Sequence, residues 1–183
     1  MIVTLAGAIG SGKTTLARAL ADRLGWPAAS FGDYVREQAR KRGLDPGSRK
    51  VLQDLGQSLV EADPERFLAE ALAWMNYDAA TGLVLDGLRH ESVWQALRTH
   101  SEKFPEQPVA LLFLDTPDDI RHARLRDRGL DEAAIATADG HRAEQDLTAH
   151  LRAAADHRLT GLGSVSELVE LALAALPSRR KTP

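Results

Sequence analysis

The chain has 183 residues, 44% hydrophobic and 27% charged, with a net charge of -3 at neutral pH and no cysteine. This composition fits one folded domain with its own core; it excludes a disordered chain, disulfides and thiolate metal sites. It also offers no global positive field for nucleic acid or membrane, no run near the roughly 18 apolar residues of a bilayer span, and no basic leader. The expectation is a soluble, cytoplasmic protein that handles small molecules.

In chain order, short apolar runs alternate with helical ones, the pattern of a parallel sheet covered on both faces. Ile2–Ala6, Pro27–Phe31, Leu83–Asp86, Val109–Asp115 and Arg158–Thr160 are the expected strands. Runs such as Val109–Leu114 are apolar at every position, as a strand buried on both sides requires. Between the second and third strands, Gly32–Ala80 reads as wholly helical. Within it, Asp63-Pro64 is an N-cap followed by proline at the first helical position, with Phe67, Leu68, Ala71, Leu72 and Met75 as one apolar stripe. Thr116-Pro117 repeats that logic before a second helical stretch, Asp118–His157, rich in arginine. Ser164-Val165-Ser166-Glu167 is a capping box that opens the last helix, and the basic tail from residue 177 reads as frayed.

The segment Gly7-Ala8-Ile9-Gly10-Ser11-Gly12-Lys13-Thr14 follows the first strand and opens the first helix. Gly-x-x-x-x-Gly-Lys-Thr in this context is a phosphate-cradling loop. Its glycines allow a tight turn with backbone N–H groups aimed at an anion, and the helix N-terminus adds its dipole. The expected nucleotide-binding set is therefore Gly7, Ala8, Ile9, Gly10, Ser11, Gly12, Lys13, Thr14 and Thr15. Lys13 is expected on the β- and γ-phosphates of ATP, and Thr14 on Mg²⁺. A strand-ending carboxylate completes such a metal site. Asp86 has that position, and Asp115 competes with it, although the Thr-Pro helix start after Asp115 favours a capping role there.

These residues resemble the nucleoside monophosphate kinases, adenylate kinase in particular, over most of the chain. Gly32-Asp33-Tyr34-Val35-Arg36 is similar to the family segment Gly-Asp-x-x-Arg, whose arginine grips the acceptor phosphate. Asp86-Gly87-Leu88-Arg89 is similar to a shorter Asp-Gly-Ile-Arg variant, which makes Arg89 a second acceptor ligand. Pro117-Asp118 followed by Arg124 and Arg128 matches the spacing of the arginines that clamp the donor triphosphate, and Arg121 shares their helical face.

The resemblance implies a three-layer α/β P-loop NTPase fold with a parallel five-stranded sheet. It implies a single kinase domain over residues 1–183, with a helical acceptor-binding insertion at 33–80 and an Arg-rich lid at 118–157. The implied activity is transfer of the ATP γ-phosphate to a nucleoside monophosphate or similar phosphorylated acceptor. With a phosphate as acceptor no general base is essential; with an alcohol, Asp33 is the carboxylate placed to take the proton.

Three further readings bear on the site. Asp33 is expected to cap the helix that carries Arg36, Tyr34 is a candidate to pack on a substrate base, and Trp26, Trp74 and Trp94 are expected in the core. The six histidines show no metal spacing and read as structural or solvated. A small-molecule alcohol kinase, an NTPase, and a nucleotide-binding regulatory module without transfer remain the alternative functions. A regulatory module would not need two arginines focused on one acceptor.

Overall fold

A computed structural model describes residues 1–140 and 149–176. Its sheet has five parallel strands: β1 (Ile2–Ala6), β2 (Ala28–Ser30), β3 (Leu83–Asp86), β4 (Val109–Asp115) and β5 (His157–Thr160). They lie in the order β2-β3-β1-β4-β5. In register, Leu5 pairs with Asp86 and Ala6 with Phe113. Strand order reverses at β1, so the crevice above its carboxyl end is the place where such sheets bind ligands.

The all-apolar strands divide their side chains between two cores. Ile2, Leu83, Leu85, Leu111 and Phe113 enter one cluster, while Val3, Leu5, Val84, Ala110, Leu112 and Leu114 enter the other. The first cluster is closed by α2 (Phe31–Lys41), α3 (Arg49–Ala62), α4 (Pro64–Trp74) and α5 (Glu91–Lys103). The second is closed by α1 (Lys13–Leu24) and the last helix, α8 (Val165–Ala175). This period of two along each strand, with both faces covered, is the reason that no polar alternation is visible in the sequence.

Between β4 and β5 come α6 (Asp118–Asp127), α7 (Glu132–Gly140) and a helical stretch over 149–154. Part of the expected lid, residues 141–148, and the basic tail from 177 lie outside the described residues. Among the described residues no helix is long and apolar enough to cross a membrane.

Two caps form as expected. The Asp63 carboxylate accepts from the Arg66 N–H at 2.9 Å, and Ser164 and Glu167 close the capping box. Two others do not. α2 is capped by Ser30, whose hydroxyl accepts from the Gly32 N–H at 3.1 Å, so Asp33 lies in the first turn and pairs with Arg36 instead. Thr116 gives its hydroxyl to the Ser11 carbonyl at 3.0 Å rather than to its own helix, and α6 starts without a side-chain cap. β2 is shorter than expected because Phe31 already belongs to the helix that Ser30 starts.

Tyr34 is 1% exposed, between Phe67 and Trp74, and donates to the Glu70 carboxylate at 3.0 Å. It is a core residue and cannot stack on a substrate base. Trp94 is buried as expected, whereas Trp74 is 39% exposed.

Burial, reinforced by the Glu70 carboxylate, pushes the Tyr34 phenol up to about 12. Burial also raises Tyr77, the other tyrosine of the chain. The neutral phenol is the form the fold favours. Its contribution is complete below the unfolded value of about 10 and is lost as pH rises through about 12. The rise in absorbance at 295 nm should therefore come at higher pH in the native protein, with Tyr34 ionising only at about 12, while in denaturant both tyrosines titrate together near 10. Superimposable native and denatured curves would show that neither phenol is held.

Candidate active site

The loop between β1 and α1 stands at the middle of the carboxyl edge. Gly7, Gly10 and Gly12 all have positive φ. At Gly10 the demand is double, because a Cβ there would also lie 2.9 Å from the Arg121 carbonyl oxygen and 3.1 Å from Leu125. Helix α6 is thus packed directly on the loop, and only glycine leaves room for it. Lys13, at the start of α1, folds back with its ammonium 3.2 Å from the Ala8 carbonyl.

The Thr14 hydroxyl donates to Asp86 Oδ2 at 2.6 Å, joining the loop to the end of β3. Asp86 is 8% exposed, and its Oδ1 is buried without a hydrogen-bond partner among the described residues. A hydroxyl and a carboxylate with an unused oxygen are hard oxygen donors, which fit Mg²⁺. That ion keeps several waters and takes few protein ligands when it is shared with phosphates. Asp115 is committed elsewhere, since it accepts from Arg152 Nε at 2.8 Å.

The arginines of α6 separate by burial. Arg121 is 5% exposed and donates through Nη1 to the Ile9 carbonyl at 2.7 Å, while Nε and Nη2 hold Asp118 Oδ1. Arg124 donates to the Ser11 carbonyl at 2.8 Å and to the Gly161 carbonyl at 3.2 Å. Arg128 is exposed at the C-cap of α6, without a hydrogen bond to the loop among the described residues. Gly161 is required sterically: a Cβ would fall 1.7 Å from the Thr116 hydroxyl.

Arg36, Asp33 and Arg89 sit on adjacent segments that leave β2 and β3. Ser30 is in register with Asp86, and Gly87 lies against Ser30 and Gly32. Arg36 and Asp33 form an exposed pair, with Nη1 and Oδ1 2.6 Å apart. Arg89 is exposed and adjoins His90. Burial, then the Arg89 cation, push the His90 imidazole below its ordinary value, against an opposing pull from Glu61 of α3. Glu61 therefore faces this corner too, although nothing in the sequence singles it out. Thr116 and Gly161 were likewise invisible as parts of the site, because only the fold places β4 and β5 beside the loop.

A glycine-rich anion loop on the central strand of a five-stranded parallel sheet makes this a P-loop protein of the α/β kinase-like fold. A family profile described as "AAA domain" matches residues 3–147. A UPF0200 protein of Thermococcus gammatolerans is 32% identical over 136 residues, covering 70% of this chain and 67% of the relative. One from Pyrococcus abyssi is 32% identical over 136 residues, 70% of this chain and 68% of the relative. A cytidylate kinase of Methanothermobacter thermautotrophicus is 49% identical over 45 residues, 25% of this chain and 28% of that protein. The chain belongs to the AAA domain family so matched and is a relative of the UPF0200 proteins.

Among solved structures, shikimate kinase of Acinetobacter baumannii in complex with shikimate superposes with a TM-score of 0.63 at 20% identity, over 99% of this chain and 95% of that one. A gluconokinase of Sinorhizobium meliloti gives 0.58 at 16%, over 94% and 89%. At these identities the likeness shows the fold.

The contrast between the two strand-ending acids is testable through Mg²⁺-dependent nucleotide binding. Asp86→Asn should raise the Mg²⁺ concentration needed for half-maximal MgATP binding by about tenfold or more. Asp115→Asn, which only loses the Arg152 pair, should leave it unchanged. The reverse result would move the metal role to Asp115.

Proposed function

We propose that the chain is an ATP-dependent phosphotransferase that moves the γ-phosphate to a nucleoside monophosphate or a similar small phosphorylated acceptor. The observation that carries this reading is the convergence at one sheet edge of the phosphate loop, the Thr14–Asp86 pair and the arginine-bearing segments that follow β2 and β3. The local likeness to a cytidylate kinase supports the acceptor class.

Phosphoryl transfer asks a protein mainly for position and charge neutralisation. In this reading, the loop amides and Lys13 hold the donor's terminal phosphates. Thr14 and Asp86 would hold Mg²⁺, which would supply charge neutralisation to the transferring phosphate when bound. Arg124 and Arg128 of the lid stabilise the transferring group and exclude water, and Arg36 and Arg89 orient the acceptor phosphate in line. The acceptor oxygen is already ionised, so no side chain has to remove a proton.

A hydroxyl acceptor is the second reading. It is favoured by the fold shared with a shikimate kinase and a gluconokinase, and by the exposed Asp33 carboxylate beside the same edge. Asp33 would then accept the hydroxyl proton.

ADP formation from MgATP, measured against a panel of ribo- and deoxynucleoside monophosphates, shikimate, gluconate and a no-acceptor control, separates these readings. One or two monophosphates should stimulate turnover well above the control. Lys13→Met should lower that turnover by about 10²-fold or more with the fold intact. Stimulation by a hydroxyl compound alone would replace the first reading with the second. Equal slow release in every well, lost in Lys13→Met, would leave an NTPase or a regulatory module.

A further inference from the structure

Arg121 has no role in the arginine spacing that resembles the adenylate-kinase lid, yet it is the most deeply buried charged side chain described. A guanidinium so enclosed must have its donors met, and two different segments contribute among the described residues. One is the Asp118 carboxylate on its own helix, the other the Ile9 carbonyl of the phosphate loop, 112 residues away in sequence. The Ile9–Gly10 peptide is trans. In a trans peptide the N–H points opposite to the C=O. Holding the Ile9 carbonyl toward α6 therefore turns the Gly10 N–H away from α6, toward the open side of the loop. A Cβ on Gly10 would lie 2.9 Å from the Arg121 carbonyl oxygen, so the loop and α6 approach closely at this peptide.

We propose that Arg121 is a positioning residue of the phosphate site: it fixes the Ile9–Gly10 peptide so that the Gly10 N–H is presented to a polyphosphate before the ligand arrives. This rests on the reading of residues 7–14 as a phosphate site and adds what orients its backbone. The first turn of α6, which carries Arg121, then acts as a buttress of the loop. The fork geometry is essential, because Nη1 serves Ile9 while Nε and Nη2 serve Asp118. A lysine ammonium keeps the charge but cannot reproduce that fork.

The test uses the full chain and two probes, a fluorescent ATP analogue and inorganic tripolyphosphate as its competitor, which carries no base. Arg121→Lys and Arg121→Met should both weaken the two ligands in parallel, by about tenfold or more, with unliganded melting temperatures recorded beside them. Affinity kept in Arg121→Lys and lost in Arg121→Met would make charge alone responsible and overturn the positioning role. Unchanged affinity in both would overturn it as well.

A second measurement needs no variant. In ¹⁵N-labelled wild type the Gly10 amide proton should move strongly downfield on addition of tripolyphosphate, and an unmoved Gly10 resonance would sink the proposal even if neither variant folds. Wild type that binds neither probe would instead overturn the phosphate-site reading itself.

Discussion

A loop that turns its amide N–H groups inward to hold an anion must turn carbonyl groups outward, and buried carbonyls need donors. In this chain the Ala8 carbonyl is met within the loop and by Lys13, and the donors for Ile9 and Ser11 come from the segment that follows the neighbouring strand β4. Arg121 meets Ile9, and Thr116 and Arg124 both meet Ser11. Arg124 also reaches the Gly161 carbonyl, while the Gly161 N–H bonds the Asp115 carbonyl at 2.7 Å. The loop is thus held from outside by a continuous set of bonds linking β1, β4, α6 and the end of β5. The glycines of the motif supply the freedom to adopt the shape, and these side chains remove that freedom once the fold is formed.

The sheet explains why this support converges on one edge. All five strands are parallel, so every strand ends on the same side, and β1 lies at the centre with β3 and β4 as neighbours. The carboxylate that meets Thr14 ends β3, and the hydroxyl that meets Ser11 follows β4. Neither could reach the loop from an antiparallel neighbour of the same length. Two separate apolar clusters clamp the strands from both faces, which keeps these strand ends in fixed register.

How much of this was legible depended on whether the signal was local. Strands β3 and β4 were readable to the residue because a doubly buried strand is a continuous apolar run with polar ends. The phosphate loop, the Asp63 cap and the Ser164 box were readable because each is a contact within a few residues. Thr116 read as a helix cap and became a tertiary donor, because the competing acceptor, Ser11, lies 105 positions earlier. Ser30 took the cap expected of Asp33, and sequence alone ranks both residue types highly at that position. Arg121 lies on a helix dense with arginine, and its spacing places it on the same face as Arg124 and Arg128. Only the fold shows that one of these charges is enclosed.

Burial also divides the arginines by what they can do. The Arg121 side chain is 6% exposed, and breaking its contacts would leave a desolvated cation, so it cannot be redirected to a ligand at low cost. The Arg36 side chain is 46% exposed and, among the described residues, pairs across one turn with an exposed aspartate. Such a pair is worth roughly 1 kcal/mol or less, so an incoming phosphate can draw Arg36 away from Asp33 with little penalty. Under phosphate transfer, Arg36 leaves Asp33 for the acceptor; under hydroxyl transfer, the same loosening frees Asp33 to receive the proton. In the proposed reading, the donor side would be built in advance from buried bonds. The acceptor side would be left in weak, exposed ones, where discrimination between acceptors could arise.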